Sequence, residues 1–144
     1  MVTSPLPPLL MLSAERDYRS HFEAQYCNAL VSTFDGITVR FFPGMFDHAF
    51  YRDSSPTAQD KAVFDLQRAQ RMDWIRAVLA DPDAELYRRV MPNSKVRRIA
   101  LEPTTPYVVV IQMDSGSLSR ARFITAYVVG SASALGNMRA NPIW

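Results

Sequence analysis

The chain has 144 residues, 48% of them apolar and 21% charged, with a formal net charge of +2. Those values fit one globular domain with its own core, exclude global disorder, and leave too little total charge to argue for a nucleic-acid partner. A single cysteine, Cys27, excludes an internal disulfide and a thiolate metal cluster; it fits a reducing, cytoplasmic compartment, as it would a cysteine-poor secreted chain.

In chain order, Pro5, Pro7 and Pro8 make residues 1–12 an extended arm, and residues 13–144 read as a single α+β domain. The opening PLPPLLMLSA has no basic segment, and its apolar run is only Leu9–Leu12, so neither a signal peptide nor a membrane span is expected. Ser13 is placed to cap a helix running to about Val31, with Phe22, Tyr26, Ala29 and Leu30 on its apolar side. Asp35-Gly36 signals a turn, Ile37–Phe42 a strand, and Pro43-Gly44 its stop. A short helical turn and a polar loop follow. Asp60 is placed to cap a long helix from Lys61, which Asp81-Pro82 ends. ELYRRVM, KVRRIAL, YVVVIQMD and ARFITAYVVG then read as four strands of an antiparallel meander. The tail GSASALGNMRANPIW reads as irregular, with Trp144 able to pin it to the body. Helices first and an antiparallel sheet after them define the α+β class.

Charge is unevenly placed. Residues 1–60 are net −3, residues 61–98 net +4, residues 99–118 net −2, and residues 119–144 net +3. Two basic segments can therefore converge on a polyanion, or stay as solvated faces. On a helical wheel Lys61, Arg68 and Arg71 fall within about 60° of Phe64, in the same apolar stripe as Ile75. An unpaired buried guanidinium is very costly. Three arrangements avoid that cost: heads that reach water from the stripe's edge, ion pairs with Asp47 or Asp114, or a cleft where an anionic ligand supplies the missing charge. Strand alternation puts Lys95 and Arg97 on a face with Ile99 and Leu101, opposite Val96, Arg98 and Ala100. Arg88 and Arg89 are either a solvated edge or further phosphate contacts.

His48, in the loop segment FDHAFYRD with Asp47, Tyr51 and Arg52 beside it, is the best proton shuttle in the chain, or else a structural histidine. His21 reads as solvated. Alternation places Ala121, Phe123, Thr125 and Tyr127 on one strand face, where the two hydroxyls are either satisfied in the core or turned into a cleft. The sequence carries no Gly-rich phosphate loop, no metal-ligand spacing and no nucleophile elbow, so no cofactor and no metal are expected.

The order of these features resembles the phage-associated nucleases of the barnase–EndoU–colicin–RelE (BECR) superfamily. The matching residues are His48 in FDHAFY, Arg68, Arg71, Trp74 and Ile75 in RAQRMDWI, Asp81-Pro82 closing that helix, and Thr125-Ala126-Tyr127 in FITAY. The resemblance spans residues 34–129. It implies a small sheet packed on N-terminal helices, with a metal-independent ribonuclease site on the sheet's open face. It assigns acid/base work to His48, phosphate contacts to Arg68 and Arg71, and substrate contact to Thr125, with Lys61 and Tyr127 as lesser catalytic candidates. Tyr51, Lys95 and Arg97 complete the candidate set as substrate-binding residues. The expected activity is RNA cleavage by 2′-hydroxyl attack, in a toxin or phage effector acting on RNA such as transfer RNA and countered by an immunity or antitoxin protein. The alternatives are a non-catalytic RNA-binding or protein-interaction domain of the same fold, and a plain structural domain.

Overall fold

The computed structural model describes residues 6–144, so Pro5 and the start of the expected arm lie outside the described residues. The rest of the arm is strapped over the helices. Trp74 Nε1 donates to the Pro7 carbonyl at 2.7 Å, the Leu10 amide donates to the Gln70 carbonyl at 2.7 Å, and the Tyr18 hydroxyl donates to the Leu10 carbonyl at 2.8 Å. Leu10 and Leu12 pack against the core below it.

Helix α1 (Glu15–Phe22) continues into one π-helical turn, Glu23–Cys27, and stops short of Val31. Its N-cap is Ala14 rather than Ser13; the Asp17 carboxylate accepts from the Ala14 amide and satisfies that end. Strands β1 (Val31–Ser32) and β2 (Thr38–Arg40) flank the Gly36 turn, where φ is +90° and glycine carries no Cβ penalty. Helix α2 (Met45–Ala49) follows Pro43-Gly44, and β3 (Tyr51–Arg52) pairs with β4 (Val63–Phe64) as a small ribbon.

That ribbon corrects the expected long helix. Lys61 has φ +48° and belongs to the loop, and Val63 and Phe64 are extended, so Lys61 is on no helical stripe. The Asp60 carboxylate accepts from Ser54 instead of capping. The cap is Asp65, whose Oδ1 accepts from the Arg68 amide at 3.1 Å. The helix is also split at Arg71 (φ −98°, ψ 13°) into α3 (Leu66–Gln70) and α4 (Met72–Leu79).

The main sheet has the order β1-β2-β8-β7-β6-β5, where β5 is Glu85–Val90, β6 Val96–Glu102, β7 Tyr107–Met113 and β8 Arg120–Val128. The last four strands form the expected antiparallel meander, and β2 joins β8 as the one parallel pair among the described residues. The tail is not irregular: α5 (Ala132–Arg139) is capped by Ser131, whose side chain accepts from the Ala134 amide. Trp144 does hold the end down, its amide donating to the Leu86 carbonyl at 3.0 Å. The described residues thus form an α+β fold with five helices and a mostly antiparallel six-stranded sheet.

One sheet face is covered by α1, α2, α3 and α4. Phe22, Phe41, Phe46, Phe50, Met72, Ile75, Val109, Ile111 and Phe123 fill the space between. Tilted and edge-to-face rings around Phe22 and Phe46 add directional contacts to the area they bury. The other face carries only a smaller cluster, Tyr87, Ile99, Leu101, Val108 and Val110, with Leu135 and Met138 of α5 on top. No helix among the described residues is long and apolar enough to cross a membrane.

Candidate functional site

A β-bulge decides which residues reach the less covered face. Val110 of β7 pairs with Thr125 of β8 but Ile111 pairs with Phe123, so Ile124 is the extra residue. Side-chain parity inverts there. Ala121, Phe123 and Ala126 enter the main core, while Ile124 and Tyr127 pack on the opposite side. The expected single face of Ala121, Phe123, Thr125 and Tyr127 is therefore corrected: Thr125 and Tyr127 turn away from Phe123 and line the open side with Ile99 and Val110.

Three hollows adjoin one another from that side round to helix α3. The first, about 670 Å³, is lined by His48, Lys61, Arg97 and Arg122 and also by the carboxylates Asp47 and Asp60. The second, about 510 Å³, has Arg89, Arg97, Thr125 and Tyr127 on the sheet and Asn137, Met138 and Asn141 on the tail. The third, about 260 Å³, is lined by Asp65, Gln67, Arg68, Arg71, Tyr107 and Tyr127. Arg97 is a wall of the first two and Tyr127 a wall of the last two.

Each group is placed by local structure. Phe46, Ala49 and Phe50 anchor α2 in the core, which leaves His48 on its exposed side. No hydrogen bond among the described residues ties the His48 ring, whereas the His21 ring, with Nε2 2.7 Å from Asp73 Oδ1, is engaged rather than merely solvated. Lys61 is held by its backbone, its amide donating to Asp53 Oδ1 at 3.0 Å, so its side chain is left to the hollow. Arg68 sits 3.5 Å from Asp65 Oδ2, with its guanidinium carbon 5.4 Å from the Tyr127 ring centroid. Arg71 donates to the Gln67 carbonyl at 2.8 Å and lies over Trp74. Asp47 and Asp114 do not neutralise either: they pair with Arg19 at 2.8 Å and Arg40 at 2.7 Å. Burial pushes the Tyr107 hydroxyl well above its ordinary value, which keeps it protonated beneath Arg68 and Arg71.

The sheet register adds residues that alternation alone does not reveal. Arg89 of β5 stands opposite Arg97 of β6, Arg97 opposite Gln112 of β7, and Gln112 opposite Arg122 of β8. Directly paired residues share a face, so three guanidinium groups and one amide form a row across four strands. Arg97 Nε donates to Gln112 Oε1 at 3.2 Å. Among the described residues no carboxylate pairs with Arg89, Arg97 or Arg122. Burial, and then the charges of Arg89 and Arg122, hold Arg97 below the usual guanidinium value.

The site thus brings together His48, Lys61 and Arg97, and adjoins Thr125, Tyr127, Arg68 and Arg71 through shared walls. Two candidates fall outside. The Tyr51 hydroxyl donates to Glu15, and its ring packs on Phe46 and Phe64. Lys95 donates to Ser115 Oγ and lines a separate hollow with Arg88 and Trp144, so it does not share a site with Arg97. Sequence reasoning missed Arg122 and Gln112; the available signal was the pairing of RRI with the strands on either side. No group of three or more His, Cys, Asp or Glu able to hold a metal occurs among the described residues. Compared with family models, with curated proteins and with solved structures, the chain matches none of them.

Proposed function

We propose that this protein is a metal-independent endoribonuclease working on the open sheet face, in the hollow shared by His48, Lys61, Arg97 and Arg122. The observation that carries the reading is that hollow: an untethered imidazole and three cations line it, and its two carboxylates are already engaged, Asp47 with Arg19 and Asp60 with Ser54. RNA supplies its own nucleophile. The His48 ring takes the proton of the 2′-hydroxyl, whose oxygen forms a bond to the adjacent phosphorus. The bond from phosphorus to the 5′-oxygen breaks, and the Lys61 ammonium protonates that leaving oxygen. Arg97 and Arg122 stabilise the charge of the phosphorane. The products are a 2′,3′-cyclic phosphate and a free 5′-hydroxyl. The order of motifs that resembles the BECR nucleases supports the same reading, and with it a BECR-like core, a role as toxin or phage effector, and a neutralising partner protein.

The test is incubation of single-stranded RNA with the protein in excess EDTA. The expected result is fragments ending in cyclic phosphate, with His48→Ala slower by roughly 10²–10⁴-fold. RNA left intact by the wild-type protein, or cut equally well by His48→Ala, would overturn the assignment. A second reading, RNA binding without cleavage, is favoured by one observation: Arg68 and Arg71 line a hollow separate from that of His48. It predicts salt-sensitive binding and no product.

A further inference from the structure

We infer that the row Arg89–Arg97–Gln112–Arg122 is a track for the phosphates of an unpaired polynucleotide segment that crosses the sheet roughly at right angles to its strands. The inference rests on the reading of RNA as the substrate, and it extends the site well beyond the hollow of His48.

Like charges directly opposite one another on a sheet are destabilising. The neighbouring row shows how the fold neutralises such a charge where it has no other use. Arg88 stands opposite Arg98, and Arg98 is clasped by both oxygens of Asp35 at 3.0 and 2.9 Å. Among the described residues, the row Arg89–Arg97–Gln112–Arg122 has no such carboxylate. Gln112 is only 7% exposed, and its one contact on this row accepts Arg97 Nε. That bond fixes the root of the fork and leaves the two terminal nitrogens for a phosphate. The unpaired stretch ends where Arg40, opposite Arg122 on β2, is taken by Asp114 at 2.7 Å.

The floor beside the track chooses between strand types. Ile99, Val110 and Tyr127 are apolar groups next to Arg89 and Arg97 in one hollow. Ile99 and Val110 are themselves buried beneath Met138 of α5, so the surface offered beside the track is the half-exposed Tyr127 ring, which a duplex with its bases turned inward would leave uncovered. An unpaired strand can stack a base on that ring. Strands about 4.8 Å apart set Arg89 and Arg122 about 14 Å apart. With about 3.4 Å per nucleotide in a stacked strand, the row spans roughly four nucleotides, and fewer when the strand is extended.

The test uses fluorescence anisotropy with 5′-labelled oligodeoxythymidylate of increasing length. Lacking the 2′-hydroxyl, this probe cannot be cleaved by the proposed route, so binding is read apart from catalysis. Affinity should rise with length up to roughly four nucleotides and then flatten, and a blunt DNA duplex of equal phosphate number should bind more weakly. Arg89→Gln and Arg122→Gln should each reduce the slope of log affinity against log salt by about 0.7. Arg89→Lys should keep the slope, and Arg88→Gln, on the other face, should change nothing. Duplex binding as tight as single-strand binding, or an unchanged slope in both glutamine variants, would overturn the track. So would displacement of the oligonucleotide by polyglutamate at equal charge concentration, which would make the row a protein-docking surface. Failure of RNA cleavage with this pattern intact removes the nuclease reading alone; cleavage with an unchanged slope removes the track alone.

Discussion

Arg97 and Arg98 are consecutive residues of β6, and the sheet sends them to opposite fates. Arg98 is 1% exposed, bonded to both oxygens of Asp35, and lies between the rings of Phe34 and Trp144 at 5.6 and 5.1 Å. Arg97 faces the other way, half-buried among Arg89, Arg122 and a glutamine, with no carboxylate among the described residues. On the covered face a buried cation is neutralised within the chain. On the open face three cations are left for something else to neutralise. The difference separates a charge neutralised within the fold from charges that no carboxylate among the described residues pairs with.

The largest effect should come from breaking the covered-face pair. Asp35→Ala leaves Arg98 buried without a counter-ion and should cost about 3–5 kcal/mol, seen as a Tm fall of roughly 10 °C or more. Acid should reproduce part of that loss. Burial pushes the Asp35 carboxyl up, but the hydrogen bonds from Arg98 and Thr33 outweigh it, and the net direction is down. Glu102 is also lowered: burial raises it, and the amides of Thr105 and Thr104 more than reverse that. Carboxyls depressed in the folded state stabilise it above their unfolded values, near 4. That stabilisation is lost as pH falls through the folded values, so urea midpoints should drop steeply below about pH 4, and less so in Asp35→Asn.

The open face should respond in the opposite manner. Arg97→Gln relieves repulsion from Arg89 and Arg122, so the free energy of unfolding should hold within about 0.5 kcal/mol or rise. Its RNA affinity should fall, with the salt slope reduced by about 0.7. A loss of stability smaller than that of Asp35→Ala is expected at the boundary between the two regions. Asp65→Ala removes the α3 cap and should cost about 1 kcal/mol in thermal unfolding.

Legibility in the sequence followed the range of the interactions. The meander was readable because β5 to β8 carry β-branched and aromatic runs separated by turn residues, which is local information. The start of α3 was misread because Asp60 and Asp65 are both acids ahead of an apolar run. Only the left-handed backbone at Lys61 and the pairing of Val63 with Arg52 separate them. Helix α5 was missed because Gly136, serine and asparagine dilute its pattern, leaving Leu135 and Met138 as its apolar contacts. The bulge at Ile124 inverted the face of Thr125 and Tyr127, and a strict two-residue period cannot show that. His48, Lys61 and Arg97 were legible one by one as candidates, but their meeting in one hollow, and the arginine row itself, exist only once strands far apart in sequence are in register.

The most direct measurement is a titration of the arginine side-chain Nε–H resonances of the ¹⁵N-labelled protein with a short oligodeoxynucleotide. The expected result is movement of the Arg97 signal, together with Arg89 and Arg122, while the Arg98 signal stays fixed. An Arg97 signal that does not move at saturating oligonucleotide, or an equal response from Arg98, would contradict the division between the two faces.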